Sequence, residues 1–295
     1  MVEDLGSVLR KGFETWKKNL SICLPFVFSM ILTTMVAIII IGGAILAAVP
    51  SLTSLIPYVT APEKISPELI LPLLHQFIQN IGIIIAAVII TVILTLLINA
   101  FFTAGAIGMA KEATEKGRTS LSEMKEYGRR KFSSLLGADV IVSLIALVGF
   151  VFIIPGILYT LPKISTSSEP APAVVSPALA IIVVGLLVMV IYMLLISIIF
   201  ALPLFAVVID DLGAVEGVKR GFNFFMMHKM DVFLLWLVTL AIAVVVGFIL
   251  ANIPYAGQLL NMVVSVIVIQ PLTVIWWSRL YLSMTKPKTD DVFTI

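Results

Sequence analysis

The 295-residue chain is 60% hydrophobic and 12% charged, and its mean hydropathy is +1.15. A water-soluble domain of this length cannot bury so large an apolar fraction, so lipid must solvate much of the chain. The formal net charge of +2 hides a segregated distribution in which basic residues crowd beside apolar stretches. That pattern predicts contact with membrane lipids and argues against a nucleic-acid partner. The single cysteine, Cys23, excludes an intrachain disulfide.

In chain order, long uncharged stretches predict an all-α integral membrane protein with six spanning helices. A spanning helix needs about 20 predominantly apolar residues, and each of these stretches meets or exceeds that length. The last stretch, 232–278, is long enough for two helices, and the turn residues Asn252, Pro254 and Gly257 divide it. The predicted spans are 20–49, 81–110, 133–161, 178–208, 232–251 and 258–281.

Basic residues occupy alternate gaps between these spans. Counting from the first gap, the segment before the first span holds four Lys and Arg residues, 111–131 holds seven, 210–231 holds three, and the segment from Arg279 onward holds three. The intervening loops hold only Lys64 and Lys163. Because basic side chains resist translocation, this asymmetry predicts a cell-membrane protein with both termini in the cytoplasm.

A basic amphipathic segment precedes each odd-numbered span, which predicts three elbow helices lying in the cytoplasmic interface. The first runs from Leu5 to Leu20, the second begins with Ser120 and Glu123 at capping-box spacing, and the third begins near Leu212. With the aromatic residues at the inner boundary of the last span, these segments supply the expected inner-leaflet lipid contacts: Arg10, Lys11, Lys17, Lys18, Lys125, Arg129, Arg130, Lys131, Lys219, Arg220, Lys229, Trp16, Trp276 and Trp277.

The first and third segments also share sequence. Glu3-Asp4-Leu5-Gly6 with Lys11-Gly12-Phe13 corresponds to Asp210-Asp211-Leu212-Gly213 with Arg220-Gly221-Phe222. We interpret the chain as one membrane domain of three units, 1–110, 111–209 and 210–295, each an elbow helix followed by a helical hairpin. The units would be related by a pseudo-threefold axis along the membrane normal, with a central cleft between hairpins. The alternative is coincidence, since Gly and Pro are frequent in membrane helices.

Asp139 lies about seven residues into the third predicted span, deeper than any other acidic residue. A charge at mid-bilayer costs about 2.5–3.5 kcal/mol, so this side chain should face other helices or water. Two interpretations stay open: a structural carboxylate paired with Lys131, Arg130 or Lys229, and a proton or ion site. The rest of the candidate intramembrane polar site consists of amides that we expect to hydrogen-bond across helices: Asn99, Asn261 and Gln270.

Recognisable catalytic and cofactor motifs are absent from the sequence. The two histidines, His75 and His228, fall on opposite sides of the predicted membrane, so they cannot share a metal ion. We therefore expect a protein that is not an enzyme and holds no metal or cofactor.

The segment Asp211-Leu212-Gly213-Ala214-Val215 with Lys219-Arg220-Gly221-Phe222, preceded by Phe200-Ala201-Leu202-Pro203-Leu204, resembles an uncharacterised prokaryotic multi-pass membrane family. That family is similar to the membrane domain attached to some glycerophosphoryl diester phosphodiesterases. The opening segment around Gly12, Phe13 and Trp16 extends the likeness loosely over the chain. The resemblance implies a six-helix membrane fold and carries over no catalytic residue.

Three functional hypotheses follow from these features. The leading one is a membrane module whose cleft binds or moves an apolar or amphipathic molecule, above all lipid, because intramembrane charge is scarce. The second is a scaffold that recruits a protein partner through its basic cytoplasmic face. The third is an ion- or proton-coupled transporter that uses Asp139.

Overall fold

The computed structural model describes residues 3–53, 67–159 and 171–285. Within these ranges the fold is entirely helical, and six helical segments are long and apolar enough to span a membrane. They are Leu20–Ala48, Ile81–Lys116, Leu121–Tyr159, Leu179–Ile209, Lys229–Ala251 and Gly257–Thr285, called here the first to sixth spans. The predicted six-span, all-α architecture is confirmed, and the tight turn predicted at 252–257 separates the last two spans.

The helices, in chain order, are α1 (Leu5–Lys18), α2 (Leu24–Ala37), α3 (Gly43–Ala48), α4 (Pro67–Gln79), α5 (Ile81–Lys116), α6 (Leu121–Leu147), α7 (Ala171–Ile199), α8 (Pro203–Ile209), α9 (Ala214–Met227), α10 (Lys229–Ala251), α11 (Gly257–Val264) and α12 (Gln270–Thr285). Short 3₁₀ turns cover Leu20–Cys23 and Val148–Phe152, and π turns cover Ile38–Gly42 and Ser265–Ile269. A further helical turn occupies 154–159.

The buried core is concentrated at one end of the bundle. This end, called the basic end, is where α1, the first half of α6 and α9 lie. The largest fully buried side chains all belong to it: Tyr281, Phe224, Ile22, Ile107, Met109, Leu135, Leu202, Leu235, Ile275, Leu280, Val8 and Val207. Toward the opposite end the spans expose apolar side chains such as Ile39, Ile89, Val184 and Phe248, a surface suited to lipid.

Glycines let the amphipathic segments approach the spans closely. A Cβ atom on Gly12 of α1 would lie 2.3 Å from the Trp276 ring in the sixth span, and one on Gly221 of α9 would lie 2.5 Å from the backbone nitrogen of Pro203. In α6, a Cβ atom on Gly128 would lie 2.9 Å from the Phe101 ring of the second span. Each amphipathic segment thus packs on the even-numbered span that precedes it, with the first closing onto the last.

The second elbow differs from the prediction because it is not a separate helix. Ser120 and Glu123 form the predicted capping box, but α6 then continues without a break from the amphipathic segment into the third span. The first and third elbows are separate helices, since Asn19 and His228 leave helical geometry before their spans begin. The division into three repeat units remains a prediction.

Candidate functional site

A cavity of about 880 Å³ lies among the first, second, third and sixth spans, and Leu204 of the fourth span also lines it. Its walls carry all four residues predicted to form the intramembrane polar site, so side chains far apart in sequence share one space. The lining residues are Phe26, Ser29, Met30, Thr33, Asn99, Ala100, Phe102, Thr103, Leu135, Asp139, Leu204, Gln258, Asn261, Met262, Ser265, Val266 and Gln270. The lining combines polar and apolar groups at membrane depth.

The sixth span contributes a polar stripe to this cavity. Gln258, Asn261, Ser265 and Gln270 recur at intervals of three, four and five residues and line the same space, as expected for one face of a helix with 3.6 residues per turn. The five-residue interval crosses the π turn at Ser265–Ile269, a local widening that occurs often at functional sites. Sequence reasoning missed Gln258 and Ser265, although their spacing to Asn261 was a readable signal.

The first and second spans form the facing wall. Ser29 donates a hydrogen bond to Asn99 across the two spans at 2.6 Å, which confirms that Asn99 bonds between helices as predicted. Thr33 satisfies its hydroxyl locally by donating to the Ser29 backbone carbonyl at 2.8 Å. On the other wall Gln270 donates to Ser265 within its own helix at 3.4 Å. The polar groups are therefore only partly satisfied by one another, and Asn99, Asn261 and Gln270 stay exposed.

Asp139 supplies the only charged side chain among the lining residues in the part of the chain that the structure describes. Its predicted pairing with Lys131, Arg130 or Lys229 is wrong. Lys131 lies eight residues earlier in α6, about 12 Å along the helix axis, and its ammonium reaches the Asp211 carboxylate at 2.6 Å instead. Arg130 also lies near Asp211, at 3.6 Å. Among the described residues no hydrogen bond or ion pair is made by the Asp139 carboxylate.

The basic end holds the predicted lipid contacts, and the structure divides them into two groups. An exposed group could meet headgroups: Arg10, Lys17, Lys18, Lys125, Arg129, Arg130, Lys219, Arg220 and Lys229. A second group faces protein, which corrects the prediction for three residues: Lys131, Trp276 and Trp277 are buried. Burial follows from their partners, since the Trp276 indole donates to the Leu9 carbonyl at 3.1 Å and the Trp277 ring packs near Phe205.

Two further predicted lipid contacts, Lys11 and Trp16, are partly buried and hold α1 in place. The Trp16 indole donates at 3.3 Å to the carbonyl of Ile267 in the sixth-span π turn, and the Cys23 thiol donates to the same carbonyl at 3.0 Å. Lys11 pairs with Glu3 at 2.7 Å. These contacts fix the first amphipathic helix and the start of the first span against the cavity wall.

At the basic end, ion pairs join residues that are far apart in the sequence. Glu3 accepts two hydrogen bonds from Arg279, at 2.7 and 3.1 Å, in addition to the one from Lys11. Burial alone would raise the pKa of Glu3, but these hydrogen bonds and the positive charges lower it from 4.5 to about 2. The hydrogen bond from Lys131 likewise lowers the pKa of Asp211 below its ordinary value. These charges are structural and lie outside the cavity.

The described lining of the cavity carries few kinds of chemical group. One carboxylate stands among neutral amides and hydroxyls, so the lining offers hydrogen bonds and a single negative charge. Among the described residues no group of three His, Cys, Asp or Glu side chains could hold a metal ion.

Comparison with known proteins assigns the chain to a family. Residues 68–280 match the family described as a domain of unknown function, DUF7847. The chain belongs to this family. The DUF7847 region includes the second to fifth spans and most of the sixth, and with them Asn99, Asp139, Asn261 and Gln270, while the first span precedes it. The prediction that the chain belongs to an uncharacterised family is confirmed.

A relative extends the similarity to nearly the whole chain. An uncharacterized protein of Archaeoglobus fulgidus is 23% identical over 297 residues, which cover 97% of each chain. No solved structure matches. Neither comparison supports the predicted likeness to the membrane domain of glycerophosphoryl diester phosphodiesterases.

Proposed function

We propose that this protein is a non-enzymatic membrane module that binds an amphipathic molecule, of the lipid class, in the cavity among its first, second, third and sixth spans. The observation that carries the proposal is the mixed lining of that cavity. Nine polar side chains share it with apolar residues such as Phe26, Met30 and Phe102. An amphipathic molecule can satisfy both kinds of surface at once.

Energetics support the same proposal. Polar groups inside a membrane are expensive when nothing bonds to them, and among the described residues the Asn261 side chain makes no hydrogen bond although it lines the cavity. A volume of about 880 Å³ also lies in the range of pockets that enclose a small ligand. The exposed basic residues of the basic end would then sit at the cytoplasmic headgroups, in the orientation predicted from the charge distribution.

Native mass spectrometry of the full-length protein, extracted in a mild detergent, tests this proposal. We expect a bound lipid in the wild-type protein. Asn261→Leu should weaken lipid retention about threefold, the effect of one intramembrane hydrogen bond of about 0.6 kcal/mol. Asn252→Leu is the matched control, because Asn252 lies exposed in the turn before the sixth span and does not line the cavity.

Labelling with a photo-crosslinkable lipid is a second test of the proposal. Labelling concentrated on the cavity residues would support binding there. Labelling spread equally over the cavity and exposed perimeter positions such as Phe248 would overturn the proposal.

A second candidate is ion- or proton-coupled transport through Asp139. The observation that favours it is an intramembrane carboxylate that lines a cavity and has no partner among the described residues. Proton entry into proteoliposomes, followed with an enclosed pH-sensitive dye, tests this candidate. Asp139→Asn should abolish any proton flux that the wild-type protein supports, and equal flux in the two proteins would exclude it.

A further inference from the structure

The charges around the cavity restrict what it can hold. The nine polar lining residues are Ser29, Thr33, Asn99, Thr103, Asp139, Gln258, Asn261, Ser265 and Gln270. Eight of them are neutral and one is acidic, and within residues 3–53, 67–159 and 171–285 no Lys, Arg or His lines the cavity. A site built for an anionic headgroup would present basic side chains or arginine forks to it. This lining presents the opposite charge.

The basic residues nearest in sequence cannot neutralise Asp139, because they are engaged elsewhere. Lys131 donates to the Leu212 carbonyl at 3.3 Å as well as pairing with Asp211, and only 7% of its side chain is exposed. Arg130 lies over the Tyr127 ring and pairs with Glu126. A carboxylate in a low-dielectric cavity without a counter-charge is costly when ionised. A positively charged ligand would remove that cost.

Aromatic rings on the cavity wall favour the same kind of ligand. Phe26 and Phe102 both line the cavity, and Phe102 is held edge-on to Phe101 with ring centroids 5.3 Å apart. The face of an aromatic ring attracts organic cations, and it also offers apolar contact to the rest of such a molecule. Met30 and Met262, which also line the cavity, add adaptable apolar surface.

We infer that the cavity takes an amphipathic organic cation, with its positive group against Asp139 and its apolar body against Phe26 and Phe102. This inference rests on the proposed function, since it names the chemical class of ligand for the same site. Anionic amphiphiles are disfavoured while Asp139 is ionised, because they would place a second negative group beside its carboxylate.

Two ions of matched shape and opposite charge test the inference. Tetraphenylphosphonium and tetraphenylborate are titrated calorimetrically into the full-length protein in a mild detergent, with empty micelles as the blank. We expect one saturable site that prefers the phosphonium by about tenfold or more, the effect of a charge-assisted contact. Asp139→Asn should abolish that preference. Asp231→Asn, the same substitution at the start of α10 and outside the cavity lining, should retain it.

The comparison of the two ions on the wild-type protein does not depend on any variant folding correctly. Equal affinity for both ions, tighter binding of the borate, or a preference that survives in Asp139→Asn would overturn the cationic class while leaving ligand binding in the cavity intact. Absence of saturable binding by either ion, together with no co-purified lipid, would overturn the proposed function as well.

Competition distinguishes a free cationic amphiphile from a lipid headgroup. Dodecyltrimethylammonium carries a net positive charge and should displace the phosphonium. Phosphatidylethanolamine carries an ammonium group balanced by its phosphate, and it should displace the phosphonium only at higher concentration. Equal displacement by this lipid would overturn the requirement for net positive charge.

Discussion

Glu3 stabilises the contact between the start and the end of the described chain by forming ion pairs. Its carboxylate is paired with Arg279 and Lys11, and only 16% of the Glu3 side chain and 15% of the Arg279 side chain are exposed. Pairs shielded to this degree retain more of their interaction than surface ion pairs do. Removal of the carboxylate would leave the Arg279 guanidinium partly buried without its partner.

We therefore expect Glu3→Gln to lower the free energy of unfolding by about 2–3 kcal/mol, the typical cost of breaking a shielded charge pair. Unfolding in a denaturing detergent measures this change. Glu14→Gln, at an exposed position of α1, serves as the control and should change stability little. A loss in Glu3→Gln no larger than in Glu14→Gln would contradict the assigned role.

The lowered pKa of Glu3 also predicts how stability depends on pH. Because the pKa is about 2 in the folded protein and 4.5 ordinarily, the contribution of Glu3 is complete above about pH 4.5 and is lost as the pH falls toward 2. Glu3→Gln should abolish this part of the acid destabilisation. The difference in free energy of unfolding between the wild type and the variant should therefore shrink as the pH falls through that window. A difference that stays constant with pH would contradict the prediction.

Helix docking at the basic end depends on close approach between elements. We expect Gly12→Ala to destabilise the protein by about 1–3 kcal/mol, the cost of overpacking, because the new methyl group would overlap the Trp276 ring. Gly247→Ala is the matched control, since a Cβ atom there has nothing within 4 Å, and alanine favours the helix. Thermal unfolding in detergent distinguishes them, and equal stability of the two variants would refute tight docking at Gly12.

The spanning elements were predictable because the bilayer lacks water, so every crossing must appear as a long apolar helix. The burial of Trp276 and Trp277 was not predictable, because an aromatic pair beside Arg279 looks the same in sequence whether it faces lipid or protein. The contact of Trp276 with Gly12 joins elements at opposite ends of the chain, and no local pattern reports it. The continuity of α6 was not predicted either, because its amphipathic part and its apolar part were assigned to separate helices.

The candidate site was predictable only as a set of residues. The sequence identified each candidate separately, as a polar side chain within an apolar span: Asp139, Asn99, Asn261 and Gln270. Their common cavity depends on which spans are neighbours, and hydropathy does not encode that. Asp139 shows the difference most clearly: sequence proximity suggested Lys131 as its partner, whereas the fold directs Lys131 to the loop at Asp211.

At the scale of the whole molecule, the predicted orientation can be tested with single cysteines. In a Cys23→Ala background, Tyr255→Cys lies in the fully exposed turn between the fifth and sixth spans, and Ser122→Cys lies exposed at the basic end. We expect a membrane-impermeant maleimide to label intact cells at position 255 and to reach position 122 only after permeabilisation. The reverse pattern would place both termini outside the cell.

The docking of α1 on the sixth span also determines the order of assembly. The ribosome makes α1 before the first of these six spans and its partner helix α12 as the last part of the sixth, so Gly12 cannot meet Trp276 until the sixth span has been made. During that interval the apolar side of α1 needs a temporary cover, which the membrane surface can provide to an amphipathic helix. Completion of the bundle is therefore a late event that waits for translation, and nascent chains cut short before α12 should retain α1 in a protease-sensitive state.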